Sequence, residues 1–465
     1  MRKKLLGIIL IIILYIIIGS SIPLVWRKDV SEGYKKDFDI GKFYQNDSSI
    51  AYAYPIRDND QARIERIRAI DNAKDKLIIG SYRLRSDESG KLYMASLIEA
   101  AKRGVDIDII LDGNSLWVNA GKNNYYKALA SFDNVNIKIY NPIRILKPRS
   151  LNGRMHDKYM IVDDEILFLG GRNLEDRFLI SDKKQSYDWD VLLYMEKAGD
   201  KDVLSELTDY FYSVYNKGQD LDQAAIFASN RHNDALIKEL IHIYEANKNQ
   251  NPGNFEKINY KDKAVKINKA SLITNPIDFY SKEPEAFYEI SKLMLNAKDN
   301  VTIHSPYFIA DRKMYETIEQ IADNADTSLF TNSAANNANL IGTGDLLINK
   351  RKFKTLGVNI LLNSKENSYH GKAFTIDDDL AAVGSFNWDM RSVYIDTELM
   401  LVINGKDFNK LIKKDFAYYQ DDASIVKKDG QIINSTGKAY EKASPAKKVI
   451  SLLLVILLFP FRFLF

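Results

Sequence analysis

Short apolar runs alternate with longer amphipathic stretches through most of this 465-residue chain. Residues 77–83 read as a strand, 89–103 as a helix, and 104–112, Gly-Val-Asp-Ile-Asp-Ile-Ile-Leu-Asp, as a further strand. Around 154–162 and 370–376 the sequence has the apolar weight of buried strands. Each leads into an acidic turn, Asp163-Asp164-Glu165 or Asp377-Asp378-Asp379, and then a second apolar run, 166–169 or 380–383. Helical spacing returns at 203–215 and 234–246, and the polar run Lys-Asn-Gln-Asn-Pro-Gly-Asn at 248–254 reads as a linker. Strands alternating with helices in both halves predict an α/β architecture of two tandem units, with mixed sheets and helices on their outer faces. The expected units span 45–220 and 262–425, with a crossover at 221–261 and a loose tether at 429–444.

The two ends carry a different pattern. After Arg2-Lys3-Lys4, residues 5–26 are uncharged, a stretch of about 33 Å as a helix, enough to cross a bilayer core of roughly 30 Å. This predicts an N-terminal transmembrane anchor at 1–28, since a cleaved leader has a shorter apolar core and a small-residue cleavage site. Lys and Arg flank both ends of the anchor, so charge does not choose the membrane face. The tail 447–465 has an apolar run at 449–459, broken by Pro460 and Arg462. It is short for a span and reads as an interfacial or re-entrant membrane contact.

One composite pattern, His-x-Lys-x4-Asp-x6-Gly-[Gly/Ser]-x-Asn, occurs twice: at His156, Lys158, Asp163, Gly170, Gly171 and Asn173, and at His370, Lys372, Asp377, Gly384, Ser385 and Asn387. The copies start 214 residues apart (370 minus 156), which reads as duplication of one unit carrying half a site. A strand alternates its faces, so each His and Lys projects to one side. Asp163 and Asp377 fall at odd parity inside acidic turns, which favours turn-forming or supporting roles over direct reaction. The small pairs let backbone approach a ligand, and Asn173, Asn387 and the Ser385 hydroxyl can donate to phosphoryl oxygens. Two Lys, two Asn and a protonated His suit an anion whose charge grows during displacement. The other histidines, His232, His242 and His304, have no such context and read as structural.

At these residues the chain resembles the phospholipase D superfamily, defined by the duplicated HKD motif just quoted, and looks like bacterial cardiolipin synthases and their close relatives. The likeness extends through Asn141-Pro142, the segment 151–156, Ser305-Pro-Tyr-Phe308, Thr331-Asn-Ser333 and the segment 387–392. It implies two phospholipase D-like α/β domains related by a pseudo-twofold. It also implies a two-step reaction in which one His forms a phosphatidyl-histidine and the other serves the leaving and incoming alcohols. By analogy His156 is the nucleophile and His370 the acid/base, with Lys158, Asp163, Lys372 and Asp377 completing the catalytic set. Asp190 and Glu398 are candidates to orient the imidazoles. The resemblance requires no metal and no cofactor. This chain departs from many relatives after Ser333, with an Asn-rich run at 336–339 where they carry Thr-Asp.

Composition narrows the partners. A net charge of +3 argues against a dedicated nucleic-acid binder, whose domain is strongly basic. A local cluster, Arg144, Lys147, Arg149 and Arg154, is open to anionic headgroups or to solvent. Absence of Cys excludes disulfides, thiol nucleophiles and thiolate metal sites. The expectation is therefore a membrane-bound phosphatidyltransferase of cardiolipin synthase type, with phosphatidylglycerol, and also phosphatidylethanolamine, as phospholipid substrates. The alternatives are hydrolysis by the same site, as a phospholipase D or a nuclease, and a silent membrane tether.

Overall fold

Near-continuous apolar runs in the central strands drive the fold, because both faces of each sheet are covered. The computed structural model describes residues 2–45, 48–119, 124–182, 184–224, 233–353, 355–426, 432–434 and 443–465. The first sheet takes β1 (Ile50–Ile56), β2 (Lys76–Ser81), β3 (Asp106–Asp112), β4 (Val135–Tyr140), β5 (Lys158–Val162) and β6 (Ile166–Gly170). After a short separate strand, β7 (Ser186–Tyr187), it adds β8 (Asp190–Lys197), β9 (Gln219–Asp220) and β10 (Val265–Lys266). Its spatial order is β10-β1-β8-β6-β5-β2-β3-β4-β9, with β2, β3 and β4 parallel.

The second half repeats this plan. Its strands are β11 (Lys269–Thr274), β12 (Asn300–His304), β13 (Phe308–Ile309), β14 (Asp326–Asn332), β15 (Asn359–Asn363), β16 (Ser368–Tyr369), β17 (Ala373–Ile376), β18 (Leu380–Gly384), β19 (Trp388–Asp389), β20 (Leu399–Asn404), β21 (Ser424–Val426) and β22 (Ile432–Asn434). The second sheet runs β11-β20-β18-β17-β12-β14-β15-β21-β22. The run β1-β8-β6-β5-β2-β3-β4 of the first sheet thus has its counterpart in β11-β20-β18-β17-β12-β14-β15, as a duplication requires. Two short parallel pairings lie outside the large sheets, β13 with β19 and β16 with β7.

Strand parity distributes the core. In β2, Leu77 and Ile79 join the helix-covered core of the first half, whereas Ile78 points into a second core shared by both sheets. The shared core also takes Tyr159, Trp189, Phe330 and Tyr369. Two helices, Val203–Tyr215 and Lys406–Gln420, add Phe211 and Phe416 to it. Helices are therefore not confined to the outer faces, because each half leaves an apolar sheet face that the partner sheet alone does not cover. The crossover carries the helix expected at 234–246: Asn233–Gln250 buries Leu240 and Tyr244 in the first core, and a 3-10 turn Pro252–Asn254 follows within the run read as a linker. Within the expected tether, 432–434 form β22 against β21, while 429–431 and 435–442 lie outside the described residues, as does His232.

At the N-terminus a helix, Arg2–Ser21, continues into a 3-10 turn Ile22–Leu24. Its span 4–24 is apolar and almost wholly exposed. Residues beyond it strap onto the second half: Arg27 pairs with Asp311 at 2.6 Å, Lys42 with Glu289 at 2.7 Å, and Phe43 is buried. The tail forms a helix Pro445–Leu458 and a 3-10 segment Phe459–Leu464. This helix crosses Leu340–Ile348 so closely that a Cβ on Gly344 would lie 2.4 Å from the Ser451 carbonyl. Arg462 Nε donates to Asp345 at 2.8 Å, and Phe463, Leu464 and Phe465 pack on the second core. Outward, Leu453, Ile456, Leu457 and Phe459 remain exposed.

Candidate active site

The two motif histidines are brought to one cleft by reciprocal backbone bonds between the halves. His156 N–H donates to Thr397 O at 3.2 Å, and His370 N–H donates to Tyr187 O at 2.6 Å. Met155 bridges to Thr397, and β16 runs parallel to β7 in the register Tyr369 opposite Tyr187. The residue after each acceptor is a carboxylate, Glu398 or Asp188. It therefore arrives beside the imidazole of the other half. His156 Nδ1 lies 3.0 Å from Glu398 Oε1, and His370 Nδ1 lies 2.6 Å from Asp188 Oδ2. An Nδ1–H donated to a carboxylate fixes the ring and leaves Nε2 of His156 available, while Nε2 of His370 lies 3.3 Å from Lys372 Nζ.

The cleft has a volume of about 300 Å³, and both histidines, Asn173, Asn387, Tyr307 and Arg391 line it. Tyr82 meets His156 edge-on with ring centroids 5.0 Å apart, and Phe178 covers His370 at 4.9 Å. Lys158 and Lys372 are buried beside the histidines, each ammonium bonded to the carbonyl of its own motif His. Lys372 Nζ also lies 3.9 Å from Asp188. Asn173 and Asn387 have amide oxygens with no hydrogen bond in the protein, so both amides are free to turn a donor toward an oxyanion.

Burial shapes the charges here. It pushes the His370 imidazole down to about 3, with Lys372 adding to the effect and Asp188 opposing it. Burial likewise holds His156 well below its ordinary value, with Lys158 and Lys372 adding to the effect. Lys158 falls to about 7 and Lys372 to about 8, each chiefly because burial disfavours the ammonium. The two carboxylates diverge. Burial pushes Glu398 up to about 8. For Asp188 burial acts in the same direction, but Lys372 and His370 together outweigh it and hold the carboxyl below its usual range. His156 is therefore backed by a carboxyl of reduced charge and His370 by an ionised one.

Four sequence-predicted residues sit elsewhere or act otherwise. Asp190 does not face an imidazole: its Oδ2 is 2.9 Å from both Arg172 Nη1 and Arg66 Nη2 in a fully buried cluster. Asp188, two residues earlier, is the carboxylate at His370. Asp163, with φ of +51°, accepts from the N–H groups of Lys74, Asp75 and Lys76 at 2.8–2.9 Å. Asp377, with φ of +47°, does the same for Lys298, Asp299 and Asn300. Both lock the turn after a motif strand to the start of a neighbouring strand, outside the cleft. Ser385 does not face a phosphate. Its hydroxyl donates to Glu398 Oε2 at 2.5 Å, and Ser392 donates to Oε1 at 2.6 Å. Gly171 at the equivalent position makes room, since a Cβ there would lie 2.2 Å from Asp188 Oδ1.

The Asn-rich run builds one wall of the cleft. Asn336 Nδ2 donates to the carbonyls of Asn363 and Lys365, and Asn339 caps the helix Leu340–Ile348. Lys447 of the tail donates to the Ala335 and Asn337 carbonyls at 2.7 and 2.9 Å. Arg391 joins the cleft directly to the C-terminal tail and, through Asn152, to the N-terminal helix: Nε pairs with Asp396 at 2.7 Å, Nη1 donates to Asn152 Oδ1 and Leu464 O, and Asn152 Nδ2 donates to Ser20 O. It was visible in the quoted segment 387–392, but nothing in the sequence marked it as a cleft residue. His304 is a core residue, stacked between Phe330 and Phe416, and His242 is exposed. Among the described residues, no group of three or more His, Asp and Glu is placed to hold a metal ion.

Comparison with known proteins yields one family. The profile described as "Cardiolipin synthase, PLD-like domain" matches residues 66–215 and 290–419, more than half of the chain. Cardiolipin synthase C of Escherichia coli K12 is 26% identical over 411 residues, covering 80% of this chain and 85% of the relative. Cardiolipin synthase of Clostridium perfringens strain 13 is 25% identical over 363 residues, covering 76% and 67%. Among solved structures, phosphatidylserine synthase of Haemophilus influenzae Rd KW20 superposes with a TM-score of 0.62 at 15% identity, covering 89% of this chain and 97% of that one. That likeness shows the shared fold.

Proposed function

The chain belongs to the phospholipase D superfamily, in its cardiolipin synthase family, and from this membership we propose that it transfers a phosphatidyl group to the hydroxyl of a second phospholipid such as phosphatidylglycerol. One observation carries the mechanism: two imidazoles face a single cleft, each held at Nδ1 by a carboxylate from the opposite half. His156, neutral and backed by the less charged Glu398, attacks phosphorus through Nε2. A bond from nitrogen to phosphorus forms as the bond from phosphorus to the leaving oxygen breaks. His370, backed by ionised Asp188 and next to the bound anion, is the group best placed to hold a proton and deliver it to that oxygen. In the second half-reaction it takes the proton of the incoming alcohol, whose oxygen displaces His156. Lys158, Lys372, Asn173 and Asn387 supply charge and donors to the equatorial oxygens.

The N-terminal helix and the exposed face of the tail hold the cleft against a bilayer in this proposal, with Arg391 next to the site tied directly to the tail and through Asn152 to the helix. Lipid hydroxyls are then abundant and water is scarce at the covalent intermediate. The test is the product. Purified full-length enzyme in mixed micelles of phosphatidylglycerol and phosphatidylethanolamine yields cardiolipin, with phosphatidic acid as a minor species, by lipid mass spectrometry. Phosphatidic acid alone at saturating lipid acceptor would replace transfer with hydrolysis. Turnover of a metal-stripped preparation persists in EDTA on this mechanism.

A further inference from the structure

The sequence-predicted basic cluster is re-formed by the fold. Arg154 leaves it, buried against Asp112 and donating to the carbonyls of Asn141, Ser150 and Asn152. Lys217, from the end of the helix Val203–Tyr215, enters it. Arg144, Lys147, Arg149 and Lys217 line one concavity of about 200 Å³ together with Gln219 and Tyr280. Among the described ion pairs none uses any of these four cations. Their recorded partners are neutral: Arg144 Nη2 donates to Gln219 Oε1 at 3.2 Å and Gln223 O at 3.1 Å, Arg149 Nη1 to the Tyr280 hydroxyl at 3.0 Å, and Lys217 to Ile277 O. Four positive charges thus share a hollow with no carboxylate lining it.

The loop that carries three of them is braced by its own hydrogen bonds. Asn141, at φ +41°, donates to the Asn152 and Gly153 carbonyls, and Ser150 Oγ both accepts from Arg144 N and donates to Arg144 O. Arg154 ties the same loop from beneath. Its tip is apolar and outward, with Ile145 49% and Leu146 84% exposed. The loop also lies along the N-terminal helix: Asn152 Nδ2 donates to Ser20 O at 3.1 Å, Pro148 sits 3.1 Å from where a Cβ on Gly19 would be, and the Tyr15 hydroxyl donates to Leu146 O at 3.2 Å. From Ser20 to Tyr15 is a descent of about 7.5 Å along the helix axis. If the helix spans a bilayer, the Ile145-Leu146 tip enters the hydrocarbon and the flanking cations stay at headgroup level.

We infer that this hollow is a second lipid site, which binds the phosphate of an anionic phospholipid at the foot of the N-terminal helix. It shares no lining residue with the catalytic cleft, but Asn152 links the two, accepting from Arg391 of the cleft and donating its N–H to Arg149 O of the hollow. The apolar tip between Arg144 and Lys147 selects a lipid over a soluble polyanion, because a nucleic acid offers nothing for Leu146 to enter. The inference rests on the membrane placement of the helix and not on which reaction the cleft performs.

The test uses the full chain with His156→Ala, so that lipid is neither consumed nor held covalently, in detergent. Native mass spectrometry reads saturable phosphatidylglycerol and phosphatidylcholine adducts. Adding Arg144→Gln, Lys147→Gln and Arg149→Gln together removes one phosphatidylglycerol per chain and weakens that class on the order of 100-fold, leaving phosphatidylcholine unchanged. The charge-keeping set Arg144→Lys, Lys147→Arg and Arg149→Lys retains the adduct. An unchanged phosphatidylglycerol count in the triple Gln variant overturns the site. So does millimolar inorganic phosphate that displaces the adduct completely while the apolar tip variant Leu146→Ser binds as well as the parent, since that result assigns a soluble-anion site. No turnover is read, so failure of the transfer reaction and failure of this site are separate results.

Discussion

At the scale of single residues, the site is a set of crossed pairs, and its variants separate chemistry from orientation. His156→Ala and His370→Ala each remove one partner of a double displacement, so turnover falls below detection while thermal unfolding stays near that of the parent. Asp188→Asn and Glu398→Gln leave both imidazoles present but alter what holds Nδ1, so losses on the order of 10- to 100-fold in kcat are expected. Equal losses for all four variants would mean that the carboxylates do more than orient. The lysines add a pH signature. An ammonium is charged only below its pKa, and burial lowers Lys158 to about 7 and Lys372 to about 8. Raising pH through that window removes positive charge from the oxyanion site, so kcat/KM falls on the alkaline side. Lys372→Arg keeps its charge at any accessible pH, so its profile loses the upper part of that limb; a profile identical to the parent's would refute a role for Lys372 charge.

At the scale of elements, the motif aspartates belong to turns. Asp163 and Asp377 adopt positive φ and each accepts three backbone N–H groups, which ties β5 to β2 and β17 to β12. Asp163→Ala removes the acceptor shared by those N–H groups and puts a residue that tolerates the left-handed turn less well in its place, a cost of about 1–3 kcal/mol. Asp163→Asn, which tolerates that conformation and still accepts, costs less. Melting temperature should fall in that order while turnover of the folded fraction is preserved; a selective loss of turnover would return Asp163 to the chemistry. The sequence parity of Asp163 and Asp377 already pointed this way, and the strands read at 77–83, 104–112, 166–169 and 380–383, the helix at 203–215 and the repeated motif were legible from local pattern. What was not legible depended on pairing between the halves. The β7 to β16 register and the Met155–Thr397 bridge decide which carboxylate reaches which imidazole, and both are contacts over long sequence separation. The spacing after the motif suggested Asp190; the register instead places Asp190 opposite Gly170 and under Arg172, and brings Asp188 to His370.

At the scale of the molecule, the chain ends converge on the catalytic cleft, and this arrangement predicts how the enzyme treats its physical substrate. The tail has two faces. One is structural: Arg462 pairs with Asp345, Lys447 holds the carbonyls of the cleft wall, and residues 463–465 pack on the second core. Deleting 447–465 would therefore disturb the cleft along with any membrane contact and could not separate the two. The other face, with Leu453, Ile456 and Leu457 between 61% and 73% exposed, is turned outward among the described residues, and burying apolar surface contributes roughly 25 cal/mol per Å². Replacing these three by Ser leaves the Gly344–Ser451 crossing, the Arg462 pair and the Lys447 bonds in place. If this face enters a bilayer, the triple variant loses activity on phosphatidylglycerol vesicles by at least about tenfold through weaker interfacial binding, while turnover of a short-chain soluble analogue stays at the parent level. Equal losses on both substrates would show that the face acts through folding or through the cleft wall, and an unchanged vesicle rate would leave the N-terminal helix and the loop at Leu146 as the membrane contacts that matter.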